Sequence, residues 1–196
     1  MELRIEEITA NRLEEYAQIP IGFWVNSTFS VQPVDNGLGG LRFVEEAVSP
    51  PYFKDYDHTE AEGSPIFWPK QFNISRWGLF LARRGAVRVG GAAVAFQTGG
   101  VHMLEGRDDL AVLWDLRVRP EERREGVGTA LFRYILPWVR ARGGRQLKIE
   151  TQNINVEACR FYTSMGCHLG MVHRYGYAAV PGCEHEVMIC WYLDLM

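Results

Sequence analysis

Polar and apolar residues alternate over ELRIEEI (2–8), the period-two pattern of a half-buried strand, and Asn11 offers an N-cap to a short helix running to about Ile19. From Pro20 to Lys70 the periodicity breaks. Pro33, Pro50, Pro51, Pro65 and Pro69 punctuate this stretch, yet Phe23, Trp24, Val25, Leu41, Phe43, Val44, Tyr52 and Phe53 supply apolar surface enough to predict an ordered cap of short helices or strands. Regular texture returns at Trp77 with WGLFLARR, VRVGGAAVAFQ and DLAVLWDLRV. Arg83-Arg84-Gly85 and Glu105-Gly106-Arg107 read as hairpin turns, which makes these three strands antiparallel.

Between Gly126 and Arg142 the apolar positions Val127, Ala130, Leu131, Tyr134, Ile135, Trp138 and Val139 recur at helical spacing, and Gly143-Gly144 stops the helix. Pro137, inside it, predicts a lost backbone hydrogen bond and a bend. RQLKIETQ follows as a strand, then a helix from about Asn155 to Ser164, then CHLGMVHRYGY and HEVMICWYLDL as closing strands. The order β-α-cap-β-β-β-α-β-α-β-β predicts an α/β fold, a mixed and mostly antiparallel sheet with helices on both faces. No internal repeat or linker is visible.

Composition narrows the class. At 196 residues, 47% hydrophobic and 23% charged, the chain has the make-up of an ordered globular domain, which excludes a disordered or disulfide-stapled one. No apolar run approaches the ~20 residues that span a bilayer, and the charged N-terminus MELRIEEITANRLEEY has no secretory apolar core, so a cytoplasmic protein without a membrane partner is expected. Cys159, Cys167, Cys183 and Cys190 form no C-x-x-C pair, and His168, His173 and His185 alternate with apolar residues along strands; no metal is expected.

The net charge of -3 is unevenly spread. Residues 1–70 hold 5 basic and 12 acidic side chains, residues 71–148 hold 14 and 7, and residues 149–196 hold 2 and 5. The middle segment would attract an anion, and since Lys54, Lys70 and Lys148 are the only lysines, its cations are nearly all Arg, suited to bidentate contacts with phosphate. The overall balance is not basic, and no nucleic-acid partner is expected.

The richest stretch runs from Leu116 to Leu131, LRVRPEERREGVGTAL: a strand, a tight turn, and a helix opening on Gly126-Val127-Gly128. Glycines there let backbone approach a ligand, and the unpaired N–H groups of a helix N-terminus cradle phosphate oxygens, with Arg123 and Arg124 adding charge. No Gly-Lys-Ser/Thr follows, which excludes a nucleotide P-loop, and Leu131 stands where a dinucleotide fingerprint would need glycine.

Arg123-Arg124-Glu125-Gly126-Val127-Gly128 matches the Arg/Gln-x-x-Gly-x-Gly/Ala signature of the GNAT acetyltransferases, and Asn155, Ala158, Phe161, Tyr162 and Gly166 match a second signature of that superfamily. The chain resembles this superfamily over roughly residues 76–196. Within it, IETQNINVEACRFYTSMGC, EVMICWYL and SPPYFKDYD resemble the streptothricin acetyltransferase subgroup. The resemblance implies one N-acetyltransferase domain over 1–196, with 1–75 an acceptor-side cap and 76–196 the acetyl-CoA-binding core.

It further implies acetyl transfer from acetyl-CoA to a primary amine. Backbone N–H groups at Arg124, Glu125, Gly126, Val127, Gly128 and Thr129, with Arg123 alongside, would hold the pyrophosphate. The superfamily's fourth strand, here DLAVLWDLRV, splays from its fifth, here RQLKIETQ. The pantetheine arm would enter that gap against the backbone of Leu116 and Val118, with the Asn155 amide helping to hold it. Tyr162 matches the family tyrosine near the CoA sulfur.

The base is less defined. Trp114 occupies the position where many relatives carry an acid or histidine, and tryptophan takes no proton. Asp115 beside it points to the other face of a regular strand, unless a bulge re-aims it. Glu150 matches the glutamate base of ribosomal-protein alanine acetyltransferases, and is the third catalytic candidate with Tyr162 and Asp115.

For the acceptor, the acidic first 70 residues with Trp24, Phe29, Tyr52, Phe53, Tyr56 and Trp68 suit a small cationic amine, such as a streptothricin-like or aminoglycoside-like antibiotic or a polyamine. A protein N-terminus or lysine is the alternative acceptor, and an acetyl-CoA-binding regulatory module the alternative to catalysis. The apolar closing strands leave room for a homodimer.

Overall fold

The computed structural model describes residues 1–59 and 63–195; residues 60–62 of the expected cap and residue 196 of the expected domain lie outside them. The chain forms two compact units, each assembled from segments on both sides of residue 75. The first holds Met1–Phe23, Asp55–Lys148 and the last residues from Asp194; the second holds Trp24–Lys54 and Ile149–Leu193.

The first unit contains strands β1 (Leu3–Ile8), β4 (Gly78–Arg84), β5 (Val87–Phe96) and β6 (Leu110–Val118), in the order β1-β4-β5-β6 with every adjacent pair antiparallel, and the opening residues of β7 (Gln146–Gln152). Helix α1 (Leu13–Ala17) and helix α4 (Val127–Ala141) take opposite faces, and two adjacent glycines show why. A Cβ on Gly90 would meet Val127 and Leu131 of α4 at 2.9 and 3.0 Å, and one on Gly91 would meet the Tyr16 ring at 2.5 Å. Successive strand residues point to opposite faces, so the pair lets both helices settle directly on β5.

The α1 face buries Leu13, Tyr16, Ile19, Trp68, Trp77, Leu79, Leu81 and Val112 in one apolar cluster, with Phe72 and Trp114 packed against it. On the α4 face Phe80 meets Tyr134 and Trp138 edge-on. Helix α4 runs unbroken past Pro137.

Two expectations for the chain before residue 76 need correction. Asn11 does not cap a helix; residues 10–12 form a 3-10 turn and α1 begins at Leu13, with no side-chain cap at either start. The cap is not made only of short pieces. Besides the short helices α2 (Tyr56–Thr59) and α3 (Trp68–Gln71), it holds β2 (Phe23–Pro33) and β3 (Leu41–Lys54), paired as a two-stranded ribbon. Neither strand has a third neighbour in that ribbon, so the N–H that proline lacks at positions 33, 50 and 51 is tolerated, and neither face is dry enough to impose strict alternation.

The second unit pairs that ribbon with its own strand order β7-β9-β8, where β8 is His168–His173 and β9 is Met188–Asp194, plus helix α5 (Val156–Ser164). Strand β8 stops at His173, short of the predicted Tyr177, because the backbone N–H of Gly176 returns to the His173 carbonyl and that of Tyr175 donates to His173 Nδ1, turning the chain away. Asn153 is the hub. Its carbonyl accepts from Phe29 N, its Nδ2 donates to Phe29 O and Thr28 Oγ1, and its Oδ1 accepts from Val187 N, all within 2.8–3.1 Å.

Candidate active site

In the first unit the strand leading to the Gly-x-Gly turn carries a bulge. Ala93 opposes Asp115 and Val94 opposes Leu113, so Trp114 is the extra residue on β6. The insertion shifts the side-chain parity. Val112 and Trp114 lie in the α1-side cluster, and Asp115 and Arg117 now reach the same side. Trp114 fills an aromatic nest with Phe72 and Trp77, centroids 5.2 and 5.3 Å away.

Asp115 is buried and accepts three hydrogen bonds. Tyr16 donates to its Oδ1 at 2.5 Å, and Arg117 donates through Nε to Oδ1 at 2.9 Å and through Nη2 to Oδ2 at 2.7 Å. Arg117, itself buried, also reaches the Ile19 carbonyl and Asp57. Burial, then the adjacent Asp115 charge, holds the Tyr16 phenol well above its usual pKa of 10.0, so it remains a donor. A carboxylate forked by a guanidinium and capped by a phenol anchors α1 and the Asp57 segment to β6. Three of its four lone-pair positions are committed, which makes it a poor general base.

Beyond β6 the chain turns through residues 119–126. Arg124 and Gly126 both adopt left-handed backbone, φ 68° and 79°, and Gly126 caps α4 with nothing within 4 Å of the place its Cβ would take. Arg124, Glu125 and Gly126 are exposed, and Val127, Gly128 and Thr129 form the first turn, whose N–H groups have no preceding carbonyl of the helix to bond. The Arg123 guanidinium donates to the carbonyls of Gly22 (2.7 Å) and Val118 (3.2 Å), bracing the turn. Leu116 and Val118 are half-buried on β6, opposite Ala92 and Gly90.

In the second unit Asn155 caps α5, its Oδ1 accepting from Ala158 N at 3.1 Å; a cap uses the amide oxygen and leaves the NH2 to serve another partner. Tyr162 is buried on α5, ring against Phe161. Glu150 is half-buried on β7, where Tyr177 donates to its Oε1 at 2.5 Å and Gln152 Nε2 donates to the Tyr177 hydroxyl at 3.0 Å. Sequence reasoning passed over Tyr177 and Gln152. Gln152 was within reach, since residues two apart on a strand share a face; Tyr177 was hidden by the expectation of a continuing strand.

Among the described residues no three His, Cys, Asp or Glu side chains gather as a metal site, and no helix is long and apolar enough to cross a membrane.

The profile of the Acetyltransferase (GNAT) family matches residues 41–167, well over half of the sequence. The chain belongs to the GNAT acetyltransferase family. Streptothricin acetyltransferase A of Bacillus subtilis (strain 168) is 27% identical over 165 residues, 81% of each chain. Among solved structures, nourseothricin acetyltransferase superposes with a TM-score of 0.77 at 20% identity and full coverage of both chains. A Bacillus anthracis str. Ames protein provisionally assigned as a streptothricin acetyltransferase, solved with acetyl coenzyme A, gives 0.77 at 24% identity over 98% of this chain and 99% of its own. At these identities the two structures speak for the fold. The GNAT membership accounts for the mixed, mostly antiparallel sheet and its flanking helices and makes this protein an acetyltransferase.

Proposed function

We propose that this GNAT acetyltransferase moves the acetyl group of acetyl-CoA to a primary amine of a small cationic molecule of the streptothricin type. The observation that carries the reading is the exposed turn at Arg124–Gly126. Two exposed left-handed residues there lead into the positive end of a 15-residue helix, whose first N–H groups have no helical carbonyl to bond and suit a pyrophosphate. Names of the relatives supply the acetyl donor and the acceptor class.

On this reading the N–H groups of residues 124–129 hold the pyrophosphate, the backbone of Leu116 and Val118 pairs with the pantetheine arm, and the Asn155 NH2 donates to that arm. The amine nitrogen attacks the thioester carbonyl carbon; its proton passes to Glu150, directly or through one water; the C–N bond forms and the C–S bond breaks. The electron pair leaves on sulfur, and the Tyr162 phenol donates to the departing thiolate. Asp115 serves to hold the fold. The exposed Trp24, Tyr52 and Phe53 and the acidic surplus before residue 71 suit a cationic acceptor.

Calorimetric titration with acetyl-CoA tests the donor site. Micromolar binding by the wild type and its loss in Gly126→Glu but not in Gly126→Ala, which carries the same left-handed backbone strain without the charge, is the expected result. A wild type that does not bind acetyl-CoA would overturn the reading.

A further inference from the structure

Glu150 and Gln152 stand two residues apart on β7 and share a face, and both are bound to a single atom, the hydroxyl oxygen of Tyr177. A phenol has one hydrogen to give. The carboxylate can only accept, so that hydrogen is committed to Glu150 Oε1, and the oxygen that remains is an acceptor, which only the NH2 of Gln152 can complement. Flipping the Gln152 amide would set two acceptors face to face; the Glu150 bond therefore fixes the orientation of all three groups.

The segment between β8 and β9 that carries Tyr177 is tied down at its far end. Glu186 is buried against Lys54 at 2.6 Å, and Val187 N donates to Asn153 Oδ1 at 2.8 Å. At its near end Tyr175 N and Gly176 N bond back to His173. The phenol is thus presented to Glu150 by a braced segment.

We propose that Tyr177 is a positioning residue of the acetyl transfer, holding one oxygen of Glu150 so that the carboxylate has a single orientation when it receives the proton of the acceptor amine. The inference rests on Glu150 acting as the base. Hydrogen bonds to a charged acceptor favour the ionised form.

Tyr177→Phe removes the hydroxyl and keeps the ring. With acetyl-CoA as donor and streptothricin as acceptor, kcat is expected to fall about tenfold or more, the weight of a hydrogen bond to a charged group, with KM for acetyl-CoA unchanged. In a Glu150→Gln background the same substitution should cost nothing further. Carboxyl carbon NMR of the free protein, which needs no acceptor, should show a higher Glu150 midpoint in Tyr177→Phe than in the wild type. An unmoved midpoint, or losses that multiply in the double variant, overturns the positioning role while Glu150 stands as base. If Glu150→Gln itself turns over as fast as the wild type, the base assignment fails and this inference falls with it.

Discussion

Tyr16 and Asp115, 99 positions apart in the chain, share a hydrogen bond of 2.5 Å in the interior of the first unit. The bond exists because Gly91 leaves room for the Tyr16 ring and because the bulge at Trp114 turns Asp115 toward α1. Arg117 closes the arrangement, its guanidinium lying 5.2 Å from the Tyr16 ring centre while it forks the same carboxylate.

Asp115→Ala leaves that guanidinium, whose side chain is 1% exposed, with Asp57 as its remaining carboxylate. Breaking one side of a buried pair costs about 3–5 kcal/mol, so urea unfolding at neutral pH should show a loss of that order, with a smaller loss for Asp115→Asn. The folded Asp115→Asn enzyme should keep its kcat within a few-fold. A large drop in kcat at unchanged stability would instead restore Asp115 to the chemistry.

Gly91→Ala tests the packing that the bond depends on. Its Cβ would stand 2.5 Å from Tyr16 Cε2, and the ring is hemmed in by Trp68 at a centroid distance of 5.6 Å. Overpacking of this kind costs about 1–3 kcal/mol. Thermal unfolding should register it, and in a Tyr16→Leu background, where the ring is gone, Gly91→Ala should cost little further.

Glu15 governs an acid-side transition. Hydrogen bonds from Arg12 and then Arg88, with Arg83 also in contact, hold its carboxyl at about 2 against the usual 4.5. A depressed native pKa contributes stability above the unfolded value, so this contribution is complete above pH 4.5 and disappears as the pH falls toward 2. The expected result is a decline in stability through that window that Glu15→Gln flattens and added salt weakens. A decline of equal slope in the variant would place the effect on other carboxylates.

Cys159 and Cys167 are buried, and burial pushes both thiols up to about 11. Alkylation acts on the thiolate. At pH 8 native protein should therefore protect both from iodoacetamide, with mass spectrometry finding them modified only after unfolding; rapid native labelling of either would contradict their packing.

The residues legible in the sequence were those whose meaning is local. Alternation over 2–8, the runs at β4 to β6, the apolar spacing of α4 and the Gly126-Val127-Gly128 turn each encode backbone geometry within a few residues, and the two signatures carrying Arg124 and Asn155 are contiguous. The ribbon of β2 and β3 left no such trace, since a two-stranded, half-exposed pair needs no strict alternation and its prolines imitate loop punctuation. Only the tertiary structure decided the roles of the acidic residues. Strand parity alone sends Asp115 away from α1; the bulge, which depends on pairing with β5, brings it back and delivers it to Arg117 and Tyr16. Glu150 acquires Tyr177 because β8 ends at His173 and the chain folds back, which no periodicity announces. Local spacing fixes which face a side chain takes while the register is regular, and long-range pairing decides which polar groups then share a hydrogen.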